Sequence, residues 1–272
     1  MKTLLSVLAL LAATLGARAQ APAAPAFRST CDNREWAWGA GRNHQQFCET
    51  RDLTLPAPTG QPLTVDGGPN GGIAVRGWDG PDVRVRARVQ AWGDNEAKAA
   101  ARAHRIRIAT SNNKLSATDP EKDHDWSVSY EILVPRTTAL ALHTVNGGIS
   151  LENLQAAIRF EAVNGGVTLV NLGGDVRGET TNGGLTIQLR GHQWLGPGLD
   201  VSTTNGGIRW ELPRAYSARL YTSTNMGGIR TDLPVKKEGM FHQEVTASLG
   251  HGGAPVKAVT TNGGIRVVRE VE

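Results

Sequence analysis

The chain is poor in aromatic residues, has two cysteines, and contains no long hydrophobic run beyond its first residues. Phe, Trp and Tyr together make up 5% of its 272 residues. After residue 19 no apolar run approaches the roughly 18 residues that a membrane helix needs. The Gly-x-Ser-x-Gly and His-Glu-x-x-His motifs of serine hydrolases and zinc proteases are absent. We therefore expect no membrane span, no metal and no cofactor.

The first 19 residues, MKTLLSVLALLAATLGARA, have the pattern of a secretory signal peptide. Lys2 supplies the basic start, the segment from Leu4 to Leu15 is apolar, and Ala17-Arg18-Ala19 matches the small-residue cleavage site. Residues 20–30 follow as an Ala/Pro-rich linker. The sequence therefore predicts an exported protein, either periplasmic or extracellular.

The chain has a mildly positive charge, and its two cysteines suit the oxidising compartment that an exported protein enters. The formal charge of +4 falls to +4 − 2 = +2 when the signal peptide takes Lys2 and Arg18 with it. Such a small net charge predicts no nucleic-acid partner, and local patches of charge therefore matter more than the net charge. Cys31 and Cys48 are expected to form one disulfide that closes an N-terminal segment, residues 31–62. A two-thiol metal site or a redox pair is the alternative, although no Cys-x-x-Cys spacing is present.

Asn-Gly-Gly turns recur along most of the chain, each followed by an aliphatic residue. They begin at Asn70, Asn146, Asn164, Asn182, Asn205 and Asn262, with a variant, Asn-Met-Gly-Gly, at Asn225. The period of 18–23 residues and the alternation of apolar and polar residues after each turn favour strands over helices. We predict an all-β fold, a parallel β-solenoid in which each coil stacks on the next.

These turns are interpreted as the corners of the coils. Gly accepts positive φ there, and stacked Asn side chains can bond to one another as in polar ladders. A phosphate or calcium loop is the alternative, but the Lys-Ser/Thr and acidic residues of those loops are missing. The stretch 93–108 predicts the one short helix, with Asp94 as its N-cap.

The order of these parts resembles a known family. The stretches NGGIAVRGWDGPDVRVRA (70–87) and VSYEILVPRTTALALHTVNGGISLENL (128–154), followed by tandem NGG repeats, look like the bacterial putative-adhesin family of β-strand-repeat domains of unknown function. They are also similar to the head domain of autotransporter adhesins named for its Gly-Ile-Asn signature. The resemblance covers residues 63–272. It implies an exported β-solenoid and no catalytic residues.

One candidate binding feature is a row of arginines. In the stretch 83–89 the residues Arg84, Arg86 and Arg88 alternate with small apolar residues and fall on one side of a strand, about 7 Å apart. Such a row suits an anionic polymer. The alternative is an edge or exposed strand that charge protects from aggregation.

A second candidate lies in two repeats that are longer than the rest. Trp194 falls in one insertion, and Lys236, Lys237, Phe241 and His242 fall in the other. Exposed aromatic and basic side chains there would suit a sugar or an anionic polymer. Alternatively, Trp194 and Phe241 fold back and cap the stack.

The acidic residues are weaker candidates. Asp119, Glu121, Asp123, His124 and Asp125 form a cluster that either holds calcium or is a solvated turn. A polysaccharide-cleaving site would need paired carboxylates on one coil face, and no pairing is evident among Glu152, Glu161, Asp175 and Glu179.

Together these features predict a non-enzymatic envelope or surface protein with an adhesin-like or scaffolding role. Its expected partner is an envelope polysaccharide or another envelope protein. The alternatives are a β-solenoid enzyme acting on acidic polysaccharide and a soluble binder of anionic glycans. The uncovered ends of a stack also favour self-association, since the strand after Asn262 has no evident cap.

Overall fold

The structure, a computed structural model, describes residues 24–31, 45–234 and 242–269; the predicted signal peptide lies outside these ranges. The strands are β1 (Gln45–Pro56), β2 (Leu63–Asp66), β3 (Ile73–Trp78), β4 (Asp82–Gly93), β5 (Arg107–Ala109), β6 (Lys114–Thr118), β7 (Trp126–Pro135), β8 (Leu140–Thr144), β9 (Ile149–Ala162), β10 (Val167–Thr180), β11 (Leu185–Gln188), β12 (Gly198–Asn205), β13 (Ile208–Leu212), β14 (Ala218–Met226), β15 (Ile229–Thr231), β16 (Gln243–Leu249), β17 (Pro255–Asn262) and β18 (Ile265–Arg269). One helix, α1 (Glu96–Arg105), completes the described part. The predicted all-β class with a short helix is confirmed.

The strands form because apolar residues alternate with polar ones over long stretches. In β4, for example, Val83, Val85, Ala87 and Val89 are fully buried, while the residues between them lie at the surface. The same alternation runs through the other long strands, and the buried side chains make one continuous hydrophobic core. Period-two burial is the signature of a sheet with one face in the core.

Two rows of strands enclose this core. Face A consists, in spatial order, of β1, β4, β7, β3, the first half of β9, the first half of β10, β11, β13, β18 and β15. Face B consists of β5, β6, β2, β8, the second half of β9, the second half of β10, β12, β17, β14 and β16. The long strands β9 and β10 pass from face A to face B at Asn153 and Asn171, which have φ of 58° and 51°. The Asn-Gly-Gly corners return the chain from face B to face A.

Neighbouring repeats pair in parallel, but their spatial order differs from their sequence order at both ends. In the centre Ile149, Val167 and Leu185 lie side by side, one repeat of 18 residues apart. At one end β17 and β18 are inserted between β12/β13 and β14/β15. At the other end β2 and β3 lie between β6/β7 and β8/β9. The expectation that each coil stacks on the next in sequence is therefore wrong at the ends, and the strand after Asn262 is interior.

The corner asparagines form a continuous ladder. Each side-chain amide donates to the side-chain oxygen of its neighbour: Asn146 to Asn70 (3.1 Å), Asn164 to Asn146 (2.8 Å), Asn182 to Asn164 (2.8 Å), Asn205 to Asn182 (2.9 Å) and Asn262 to Asn205 (2.8 Å). Asn225 is the exception, because the register places the exposed Met226 opposite Asn262. Asn225 instead contacts His242, with 2.7 Å between its Oδ1 and the ring Nδ1.

A second ladder, which the sequence analysis missed, runs inside the corners. The hydroxyls of buried threonines donate to the carbonyl of the first corner glycine of an adjacent repeat: Thr144 to Gly71, Thr180 to Gly165, Thr203 to Gly183, Thr260 to Gly206 and Thr224 to Gly263, at 2.6–2.8 Å. Ala162 occupies the equivalent position between Thr144 and Thr180 and cannot donate. The Thr-x-Asn-Gly-Gly spacing in the sequence was the available signal.

The corner glycines are required for close approach and not for unusual φ. Within the described residues none of them lies in the left-handed region, so the expected role of positive φ is wrong. A Cβ on the first glycine would collide with the neighbouring backbone; on Gly165 it would lie 2.0 Å from the carbonyl oxygen of Gly147. The second glycine is less constrained, since a Cβ on Gly166 would lie 3.6 Å from its nearest neighbour.

Helix α1 packs on β4 and β1, beside the core. Its N-cap is Asn95 rather than the predicted Asp94, because the Asn95 side chain accepts the backbone N–H of Lys98 at 2.9 Å. At the other end Arg51 of β1 donates to the carbonyl of Ala103 at 2.8 Å. No helix among the described residues is both long and apolar enough to cross a membrane.

The predicted disulfide between Cys31 and Cys48 is confirmed. Cys48 lies in β1, which pairs with β4 along its whole length. The bond therefore ties residues 24–31, called the strap below, to the edge of face A.

Candidate binding surface

A cleft lies on the outer side of face A, beside the strap. Its volume is about 520 Å³. Three arginines and two glutamates line it, together with serine and threonine hydroxyls: Arg28, Arg76, Arg88, Glu131, Glu152, Ser129, Ser150 and Thr168. This composition suits a polar ligand with negative charge, held by several donors at once.

Glu131 anchors the strap at this cleft. Its carboxylate, 6% exposed, accepts the backbone N–H groups of Arg28 (2.9 Å) and Ser29 (2.7 Å) and the guanidinium of Arg76 (2.7 Å). Arg76 in turn donates to the carbonyl of Ala26 at 2.8 Å. Sequence reasoning missed this residue, although Glu131 is the one charged residue in β7.

The electrostatics of Glu131 favour its ionised form. Burial by itself would raise the pKa of this carboxyl. Hydrogen bonds from Arg28, Ser29 and Arg76 outweigh burial and hold the pKa below its usual range. The ionised carboxylate of Glu131 thus holds the strap, and it becomes neutral only at acidic pH.

The three arginines predicted to form a row have three different environments. Arg84 stacks on Trp78, 4.9 Å from the ring centroid. Arg86 donates twice to Asp52, at 2.7 Å each. Arg88 lines the cleft and makes no ion pair within the part of the chain that the structure describes. The edge position in the alternative interpretation is wrong, since β4 pairs with both β1 and β7.

The insertions give a mixed result. The predicted exposure of Trp194 is wrong: its side chain is 5% exposed, and its indole N–H donates to the carbonyl of Gly174 at 3.0 Å. Trp194 therefore folds back onto the core, which was the alternative given for this insertion. Its neighbour Leu195 is exposed. Lys236, Lys237 and Phe241 lie outside the described residues.

The acidic cluster before β7 pairs with helix α1. Arg105 lies 3.1 Å from Asp119 and 2.7 Å from Glu121, and Arg102 lies 2.5 Å from Asp123. Burial raises the pKa values of Asp119 and Asp123, but bonds from the arginines and backbone N–H groups lower them overall. Among the described residues no group of three or more His, Cys, Asp or Glu side chains is placed to hold a metal ion. The acidic cluster therefore holds helix α1 through ion pairs with Arg102 and Arg105.

Two acids on face B do meet, contrary to the expectation from sequence. Glu161 of β9 and Glu179 of β10 are direct neighbours in the parallel register, and both are exposed. Arg159 and Arg177 form the neighbouring pair two residues earlier. All four line an open cleft of about 500 Å³. The 18-residue spacing of each pair in the sequence was the signal.

The chain was compared with family models, curated proteins and solved structures. No protein-family model matches the chain. No curated protein matches it either.

Solved structures similar to this chain have adhesin or lipid-binding names. A "putative cell adhesion protein" from Clostridium sporogenes is 9% identical, with a TM-score of 0.43 over 82% of this chain and 100% of that one. A "putative adhesin" from Bacteroides fragilis is 11% identical, with a TM-score of 0.40 over 82% of this chain and 97% of that one. A "putative lipid binding protein" from Parabacteroides distasonis is 8% identical, with a TM-score of 0.33 over 81% and 96%.

Proposed function

We propose that the chain is an exported, non-enzymatic parallel β-solenoid that binds an envelope polysaccharide or another envelope protein, in an adhesin-like or scaffolding role. The observation that carries this proposal is the cleft on the outer side of face A, which Arg28, Arg76 and Arg88 line. The signal-like N-terminus and the Cys31–Cys48 disulfide support export. The parallel register and the corner ladder support the solenoid.

Binding is favoured over catalysis at this cleft because its acids are already engaged. Glu131 accepts bonds from the strap and from Arg76. Glu152 lies 3.4 Å from Arg28 and accepts from the amide of Asn153 at 3.3 Å. A general base needs a free lone pair within reach of the substrate. Rigid strands with arginines and hydroxyls are better suited to holding a ligand than to transferring its protons.

The test is co-sedimentation of the mature protein with peptidoglycan, lipopolysaccharide and an acidic polysaccharide at low and high salt, with each polymer assayed for cleavage. Saturable binding without cleavage is expected, and salt should weaken it because the proposed contacts are ionic. The Arg88→Gln variant should bind more weakly than wild type. Failure to bind any of the three polymers would refute a polysaccharide partner, and polymer breakdown would refute the non-enzymatic role.

A second candidate function, cleavage of an acidic polysaccharide, is favoured by one observation on face B. Glu161 and Glu179 are adjacent on strands that lie about 4.8 Å apart. A pair of carboxylates is the minimum for such chemistry, and Arg159 and Arg177 lie beside this pair. If polymer breakdown is seen, Glu161→Gln and Glu179→Gln should each abolish it. Breakdown that survives both substitutions would exclude this site.

A further inference from the structure

Three repeats carry an arginine at the same place after the corner. The motif Gly-Gly-Ile-Arg ends at Arg209, Arg230 and Arg266. The preceding repeats carry small or hydroxylated residues at this position, namely Ala74, Ser150, Thr168 and Thr186. In sequence the three arginines are separated by 21 and 36 residues, by subtraction of their numbers.

The exchanged strand order brings these arginines together. Because β18 lies between β13 and β15, Arg266 is the direct neighbour of Arg209 on one side and of Arg230 on the other. Thr186 is the neighbour of Arg209 on its far side, and Thr168 follows. The result is one row across the outer side of face A, called the arginine ladder, which is cationic at the β15 end and hydroxylated towards the centre.

Among the described residues, two of the three arginines have no ion-pair partner, so the ladder carries net positive charge. All three side chains lie at exposed positions. Arg209 has a partner in Glu211, at 2.6 Å, whereas Arg230 and Arg266 make no ion pair within the described ranges. Like charges directly opposite each other on neighbouring strands are unfavourable. An anion lying across the three strands would relieve this repulsion and accept bonds from several guanidinium groups.

The surface beside the ladder has the shape for such a ligand. A shallow cleft of about 390 Å³ is lined by Thr168, Thr186, Arg209, Arg266 and the second corner glycines. Those glycines leave the backbone open where a chain would lie. Thr168 also lines the cleft at Arg88, so the two clefts are adjacent. From Ser150 to Arg230 the row crosses six strands, a span of about 24 Å.

We propose that the arginine ladder binds an acidic polysaccharide that runs across the strands of face A. Regularly spaced carboxylates or sulfates of the polymer meet the arginines, and sugar hydroxyls meet the threonines. Nucleic acid is disfavoured because the row contains no aromatic side chain on which bases could stack. The inference rests on the proposed binding function and deepens it by naming the ligand class and the residues that select it.

The test compares binding of the mature wild-type protein with that of the double variant Arg230→Gln/Arg266→Gln. The probes are polygalacturonate, dextran sulfate, neutral dextran and a short single-stranded DNA. The control is Arg107→Gln, which removes one exposed charge at the distant β5–β6 hairpin. Unfolding curves of all variants should coincide with that of wild type, since the changes lie at the surface.

Wild type should bind an acidic polysaccharide and not neutral dextran. The double variant should lose at least about tenfold in affinity, since two charge-assisted contacts are removed. The Arg107→Gln control should change affinity little. Equal binding by wild type and the double variant would overturn the ladder but leave the binding function standing, whereas no binding by wild type would overturn both. Equal, ladder-dependent binding of DNA would overturn the choice of polysaccharide.

Discussion

Alanine at the two glycines of one corner should have different consequences for stability. The pair Gly165→Ala and Gly166→Ala adds the same methyl group to adjacent residues, neither of which has left-handed φ. A Cβ at residue 165 would lie 2.0 Å from the carbonyl oxygen of Gly147. A Cβ at residue 166 would lie 3.6 Å from the carbonyl oxygen of Gly184, an ordinary contact. The two variants therefore separate close packing from the general cost of losing a glycine.

The magnitude follows from what must move. To accommodate the methyl group at residue 165 the two repeats must separate by more than about 1 Å, which is overpacking that costs about 1–3 kcal/mol. The movement also strains the 2.8 Å bond from Asn164 to Asn146 and the 2.7 Å bond from the Asn164 N–H to the Val145 carbonyl. Each such bond contributes about 1 kcal/mol. Alanine also lowers the conformational entropy of the unfolded chain, which offsets about 0.4–1 kcal/mol of this loss in stability.

Gly165→Ala should therefore lower the free energy of unfolding by roughly 2–4 kcal/mol. Gly166→Ala should leave it unchanged or raise it by up to about 1 kcal/mol. Urea unfolding followed by tryptophan fluorescence measures both, with the m-value checked for constancy. Equal destabilisation by the two variants, or a larger effect at Gly166, would refute the explanation of the corner by close approach.

Four further substitutions test the two ladders and the anchoring of the strap. Ala162→Thr should stabilise the protein by about 1 kcal/mol in thermal unfolding, because it supplies the missing rung of the threonine ladder; destabilisation would show that no space exists there. Asn205→Ala should cost about 1–2 kcal/mol through two lost ladder bonds, and Asn225→Ala, outside the ladder, should cost less. Glu131→Gln should cost roughly 2–4 kcal/mol near neutral pH. The pKa of Glu131 in the folded protein lies below its unfolded value of about 4.3. The difference in the free energy of unfolding between wild type and Glu131→Gln should therefore be constant above that pH and shrink as pH falls through the folded pKa. A difference that does not depend on pH would contradict the anchoring role.

Local features of the fold were predictable from sequence because each depends on neighbouring residues. Alternating apolar residues indicated β4 and β7, and the Asn-Gly-Gly period indicated both the corners and the asparagine ladder. The role of the glycines was misjudged because a turn motif suggests unusual φ, whereas stacking imposes close approach across repeats. The close approach joins a corner glycine to the backbone of a neighbouring repeat, so a pattern of adjacent residues cannot predict it.

The spatial order of the repeats was not predictable, and the candidate site depends on it. Sequence periodicity places equal repeats in a line but says nothing about which repeat lies beside which. The insertion of β18 between β13 and β15 creates the arginine ladder from motifs that are not consecutive. Similarly, the burial of Trp194 and the neutralisation of Arg86 by Asp52 depend on tertiary contacts. Local pattern alone made these side chains look like binding residues.

The central claim is that the outer side of face A is the ligand-binding surface. A crystal structure of the mature protein with an acidic oligosaccharide tests this claim most directly. We expect a sugar chain that crosses β13, β18 and β15, with its acidic groups within hydrogen-bonding distance of Arg209, Arg266 and Arg230. A sugar bound on face B beside Glu161 and Glu179, or no sugar at a concentration that saturates binding in solution, would contradict it.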